Sequence, residues 1–559
     1  MKELFFQIHK ARAIPGVTVT LIVIWAIVAG CGGSHSVMNN MQSSSSPPSP
    51  PSTPSEDVLT FHNDNARTGQ NLNESILTPA NVNMNTFGKL LTIAVDGKVD
   101  AEPLYATNVS IPGGAAHNLL IVATEHGSVY AFDADNGSPI WHVSMLQPGE
   151  TTSDNHGCGQ VTPEIGVTAT PVIDRGAGAN GTIYVVAMSK SGGGQYFQRL
   201  HALNLATGAE MFGGPSDIQA SFPGTGDNSS GGIVIFDPGQ YKERPGLLLM
   251  NGMVYTSWSS HCDIRPYTGW IMGYDQNSLS QVSVLNLTPN GNDGAFWNSG
   301  TAPAADANGN IFALQGNGTF DTTMNAGGFP SQGNFGNSFL KISTNSHSLA
   351  VADYFAPFNV VAENSVDQDL GSGGALVLPD QMDASGKTVH LAVGAGKDAI
   401  IYVVNRDSMG KFNPANNSAA YQAVSGVLGG AVFSMPAYFN GAIYFGAVGN
   451  PIRAFRLSSA LVPSTPSSST PSSFPYPGST PSISANGSSN GILWAVENGA
   501  PAVLHAYDAA NLANELYNSN QAAGGRDQFG PGNKFITPMV ARGKVYVGTT
   551  NSVVVFGLL

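Results

Sequence analysis

The feature that most constrains this chain is a unit that recurs from about Asp57 to the end. It consists of an apolar strand, a Gly turn, a second strand ending in an aromatic residue, then Asp or Asn and another turn. Its clearest copy, Ile121 to Trp141, reads IVATEHGSVYAFDADNGSPIW; it alternates apolar and polar residues at the strand period, and Asn136-Gly137 signals a tight turn. Weaker copies occupy 183–210 (with LHALNLATGAE), 254–279 (GWIMGYDQNSL), 311–343 (FLKIST), 391–410 (IIYVVNRDSMG), 442–457, 492–512 (LHAYDAANL) and 545–556. That makes roughly eight units at intervals of about 40 to 70 residues, the spacing of propeller blades carrying insertions. No unit can bury both faces alone, so neighbours must share core around an axis. The chain therefore reads as all-β, with residues 57–559 forming a single β-propeller of about eight four-stranded blades. Its last strand, SVVVFGLL, suits the third position of a final unit. Phe87 to Val95 is expected to supply the missing outer strand and close the ring, which removes exposed edges.

Composition agrees with many short strands: Gly 67 and Pro 35 stand against only 11% charged residues. No helical heptads, P-loop or Rossmann glycine fingerprint is visible. Residues 462–487, rich in Ser and Pro, read as a disordered surface loop between the sixth and seventh units. The net charge of −14 repels nucleic acid, and no basic cluster interrupts it.

The N-terminus reads as an address. Lys2, Lys10 and Arg12 precede the apolar run Val17 to Ala29, and Val28-Ala29-Gly30-Cys31 resembles the lipobox of bacterial lipoproteins. The run is shorter than the roughly 20 residues a comfortable span needs. Residues 1–30 are thus expected to be a lipoprotein signal peptide, with Cys31 lipidated as the mature N-terminus. Residues 31–56, with their Ser/Pro run from Ser43 to Ser55, should be a disordered tether. Loss of the leader removes three cations and one anion and takes the net charge to −16. The expectation is a monomer held to a membrane of the cell envelope (outer membrane, periplasm or cell surface) by its lipid.

VYAFDADNGSPIW at Val129 to Trp141 resembles the repeat of the pyrroloquinoline-quinone (PQQ) propeller family, the quinoprotein alcohol dehydrogenase-like superfamily, whose core is Ala-x-Asp-x-x-Thr-Gly-x-x-x-Trp. LHALNLATGAE is similar, with Asn204 where Asp is usual and Thr207-Gly208 intact. The resemblance covers nearly all of the chain after Asp57, although only one unit keeps the Trp. It implies the fold strongly and the cofactor weakly, because outer-membrane assembly lipoproteins of the BamB type share the repeats without a quinone.

In a propeller the loops between blades and those joining the second and third strands emerge on one face. This sorting brings Cys158 and Cys262 together on adjacent blades. A disulfide is the leading expectation in an oxidising compartment, ahead of two buried thiols and then a redox role. It also gathers Glu125, His126, Glu164, His261, Asp263, Arg265, Trp297, Asn298, Asp369, Lys397 and Asp398. PQQ dehydrogenases hold their cofactor and Ca²⁺ at such a funnel, and the resemblance assigns Glu164 and Asn298 to the metal, Trp297 and Lys397 to the quinone and Asp369 to the catalytic base. The chemistry suits hard oxygen ligands and a carboxylate beside a substrate hydroxyl. No vicinal Cys-Cys exists, and no Ser-His-Asp order, HExxH or zinc spacing stands out. The sequence thus favours a binding scaffold that presents its loop face to an envelope protein or glycan. The alternative is a PQQ- and Ca²⁺-dependent dehydrogenase of an alcohol or sugar.

Overall fold

The computed structural model describes residues 56–559, so the expected leader, the lipidated Cys31 and nearly all of the tether lie outside the described residues. Eight sheets of four or five strands follow one another along the described chain. The first shows how sequence sets local structure: Leu104–Ser110, Ala116–Ala123, Ser128–Asp133 and Pro139–Ser144 pair antiparallel in chain order. Leu119 to Ala123 are buried without a break, as a strand packed between two other sheets requires, whereas the outer strand Pro139–Ser144 has no fully buried residue. Among the described residues, helix is confined to one six-residue α-helix, Val360–Ser365, and short 3₁₀ turns.

The core lies between neighbouring sheets. Leu119 and Ile121 of the first sheet pack with Ile183 and Val185 of the second, and each later junction has its own apolar cluster. The series returns to its start: Tyr105, Leu120 and Phe132 of the first sheet share a cluster with Met539, Tyr546 and Val555 of the last. The sheets therefore form a closed ring. Trp141, the one motif tryptophan, bridges the first two sheets by donating Nε1–H to Leu205 O at 3.1 Å. Closure is covalently non-local, because Phe87–Ala94 pairs antiparallel with Ser552–Leu558 and completes the eighth sheet.

A second device holds the ring from inside. Between Val58 and Asn71 the chain visits every sheet in order. Val58 N donates to Tyr105 O, Ile173 N to Leu59 O, and Asn65 Nδ2 to Leu249 O. Ala305 N, Val377 N, Tyr438 N and Ile483 N then donate to the carbonyls of Asn65, Ala66, Thr68 and Gly69. Asn71 Nδ2 finishes the circuit on Val540 O at 2.9 Å. Phe61, His62 and Arg67 of this strap are fully buried at the axis. Gly69 has φ +69°, and an added Cβ would lie 2.3 Å from the His62 ring, so both conformation and space demand glycine there.

The Ser/Pro-rich stretch 462–487 is not a disordered loop. Ser468–Phe474 is the outer strand of the sixth sheet, paired with Asn450–Arg456, and Ser482–Asn486 is the inner strand of the seventh. Proline is tolerated because Pro471 lies on an edge strand, where its missing N–H breaks no central ladder. Phe474, fully buried, supplies the anchor that composition hides.

Candidate ligand cavity

A cavity of about 260 Å³ opens on the loop face. Gln160, Arg244, Trp297, Asp367, Ser372, Phe433, Tyr476 and Phe535 reach it from loops leading into inner strands. Cys262, Asp263 and Lys397 reach it from loops between second and third strands. The two loop classes that propeller topology sends to one face thus supply the whole lining.

Aromatic rings and charged groups share its lining. Phe433 meets Tyr476 edge to face at 5.4 Å, and Arg244 Cζ sits 4.1 Å from the Phe535 ring centroid. Lys397 Nζ lies 2.8 Å from Asp369 Oδ1 and also pairs with Asp367. Burial pushes the Asp369 carboxyl up to about 6, with Lys397 opposing and the Asp367 and Asp263 charges adding to the rise. Burial alone would depress the Lys397 ammonium, but the Asp369 and Asp367 carboxylates outweigh it and hold the group above its ordinary value. Desolvation lowers the fully buried Arg244 guanidinium to about 10. Several buried polar atoms lack hydrogen-bond partners: Arg244 Nη2, Oδ1 and Nδ2 of Asn298, and, apart from the Lys397 ion pair, the Asp369 carboxylate. Buried polar atoms without partners cost free energy.

Of the residues expected from sequence, Cys262, Asp263, Trp297 and Lys397 line the cavity and Asp369 supports Lys397 from beneath. Asn298 follows Trp297 and begins a 3₁₀ turn that packs on the turn Leu370–Ser372 following Asp369. Cys158 and Cys262 are joined as a disulfide. Glu164 is elsewhere: its carboxylate takes Thr152 Oγ1–H at 2.6 Å and contacts His126 Nδ1 at 3.0 Å. Arg265 turns outward to hold Asp227 through two bonds of 2.7 Å. Glu125 is buried, accepting from Gly166 N and Thr168 Oγ1, and Asp398 accepts from Tyr402 OH at 2.8 Å. His261 is buried against His156, ring to ring at 4.1 Å. Sequence reasoning missed Arg244, Phe433, Tyr476 and Phe535. The cluster Lys242-Glu243-Arg244 is a dense charge run in a charge-poor chain, sitting just before an inner strand, and was the available signal.

No protein-family model and no curated protein sequence matches the chain. Solved structures do. Quinohemoprotein alcohol dehydrogenase ADHIIG from Pseudomonas putida HK5 superposes with TM-score 0.61 at 13% identity, over 90% of this chain and 80% of that one. The quinohemoprotein alcohol dehydrogenase of Comamonas testosteroni gives 0.58 at 14% identity over the same shares. A europium-containing methanol dehydrogenase gives 0.56 at 12% identity, over 91% of this chain and 99% of that one. The chain has the quinoprotein alcohol dehydrogenase-like β-propeller fold.

The quinone and the metal expected from the sequence resemblance fare differently in this propeller. The cavity offers a planar quinone aromatic faces to stack on and the Arg244 guanidinium for a carboxylate, while Lys397 is shared with Asp367 and Asp369 and Asp263 adds a carboxylate to the lining. A Ca²⁺ ion does not fit. Glu164 is committed to Thr152 and His126, and the described residues contain no group of three or more His, Cys, Asp or Glu side chains arranged to hold a metal.

Proposed function

We propose that the propeller binds a planar organic anion of the PQQ type in this cavity and uses it to oxidise a small alcohol or sugar. The observation that carries the reading is the conjunction of aromatic walls with Arg244 and Lys397 at one cavity, where Arg244 Nη2 is buried without a hydrogen-bond partner. Trp297, Phe433 and Phe535 would hold the ligand by their rings, and Arg244 and Lys397 would hold its carboxylates. A bound quinone supplies the two-electron acceptor. Asp369, held near 6 behind Lys397, would serve as the base for the substrate hydroxyl by way of the Lys397 ammonium that lines the cavity. The Val28–Cys31 lipobox sets this activity on an envelope membrane.

The test is equilibrium dialysis and visible absorbance of the full chain with PQQ, with and without Ca²⁺, followed by dye-linked assay with primary alcohols. Binding is expected without added Ca²⁺, and Lys397→Met should weaken it about tenfold, the loss of one charge-assisted contact. Absence of binding at about 100 μM quinone, tighter than the weakest useful cofactor affinities, would overturn the reading in favour of a protein- or glycan-binding scaffold.

A further inference from the structure

We propose that the Cys158–Cys262 bond is a thiol-exchange site, in which a soluble thiol attacks Cys262 and Lys242 receives the departing Cys158 sulfur. The two sulfurs are unlike in access. Cys262 is exposed and lines the cavity, whereas Cys158 is only 1% exposed. Behind the buried sulfur stands Lys242, itself 1% exposed, whose Nζ donates to Cys158 Sγ at 4.0 Å. No carboxylate among the described residues comes within ion-pairing distance of that ammonium, and Trp297 flanks it at 6.0 Å. Glu125 and Asp263 act on it only from beyond ion-pairing distance, and burying an amine so weakly countered is costly, whereas a merely structural disulfide needs none. Burial indeed depresses Lys242 to about 7, reinforced by the Arg244 charge. Its proton is thus readily given up to a nascent thiolate. Backbone at the site is also strained, with φ +51° at both Cys262 and His156 and +55° at Asp263.

A thiolate RS⁻ attacks Cys262 Sγ from the cavity, an R–S–Sγ bond forms, and the Cys158–Cys262 bond breaks. Its electron pair leaves on Cys158 Sγ beside the Lys242 ammonium. A second thiolate attacks the R sulfur, releasing RSSR and the Cys262 thiolate. Two thiols are oxidised, one protein disulfide is reduced, and the two thiol protons end on the cysteines. Rate rises as the leaving sulfur is better stabilised, which is the task assigned to Lys242.

The full chain carrying Cys31→Ser is incubated with reduced glutathione, acid-quenched and mapped by mass spectrometry. The adduct is expected on Cys262, with Cys158 free, and it should form in the folded protein faster than the chain unfolds. Lys242→Met should slow its formation about tenfold. An adduct on Cys158, equal rates in the two proteins, or reduction no faster than unfolding would each overturn the proposal. The adduct's position is read in the Lys242 protein alone, so a variant that fails to fold does not rescue the idea. Quinone binding is a separate readout, and the two proposals stand or fall independently.

Discussion

Asp369 carries a titration with a determined sign. Its folded value of about 6 lies above the roughly 4 of an unfolded Asp, so between those limits the native chain keeps a proton that the unfolded chain has released. Its contribution to stability therefore falls as pH rises from about 4 to about 6 and stays low above. Asp369→Asn removes the charge. The stability of the variant relative to the parent should rise by about 3 kcal/mol between pH 4 and pH 7, measured by urea unfolding at both pH values. A difference independent of pH would show that the native site ionises as freely as the unfolded chain. At this scale the sequence was half legible. Trp297, Lys397 and Cys262 share one cavity lining because loop class determines face, which topology alone supplies, and Asp369 lies behind Lys397. Glu164 was misplaced because loop order cannot say where a carboxylate turns, and here Thr152 and His126 draw it away. Arg244, Phe433, Tyr476 and Phe535 lie in aperiodic loops, where no strand alternation marks a residue as facing anything.

Among elements, the closing strand is the most consequential. Phe87 begins it, is fully buried, and packs against Trp494 at 5.4 Å, Tyr517 at 5.0 Å and Phe556 at 6.5 Å. Phe87→Ala should cost about 3–5 kcal/mol, read as a lower urea midpoint with an unchanged far-ultraviolet spectrum. A cost below about 1 kcal/mol would mean that the N- and C-terminal strands contribute little to closure. Strand pairing of this kind was legible, since an apolar C-terminal strand in third position leaves one vacancy and Phe87 to Val95 has the right pattern. The outer strand Ser468–Phe474 was not, because its Ser/Pro composition imitates a linker and its one large apolar anchor comes at the end.

For the whole molecule, the strap from Val58 to Asn71 was invisible in the sequence. It has no alternation to betray it, and its bonds are made by backbone carbonyls and amides that any residue carries. Arg67 is its hub, donating to Pro303 O, Leu247 O, Phe61 O and Thr60 Oγ1 while fully buried. Arg67→Met should leave acceptors of the third and fourth sheets unpaired at a cost of about 3 kcal/mol, and thermal unfolding should become less cooperative as the ring loses its internal tie. A melting curve identical to the parent's would show the strap to be a passenger.

The same strap has a kinetic corollary. With Phe61, His62 and Arg67 filling the axis, the ring is a blind well and not a conduit. Whatever enters from the loop face must leave through the doorway it came in by. Under the proposed alcohol oxidation, product and incoming substrate would share one passage, so steady-state product inhibition competitive with the alcohol is the expected outcome, and a ligand too wide for the rim would have no second way in.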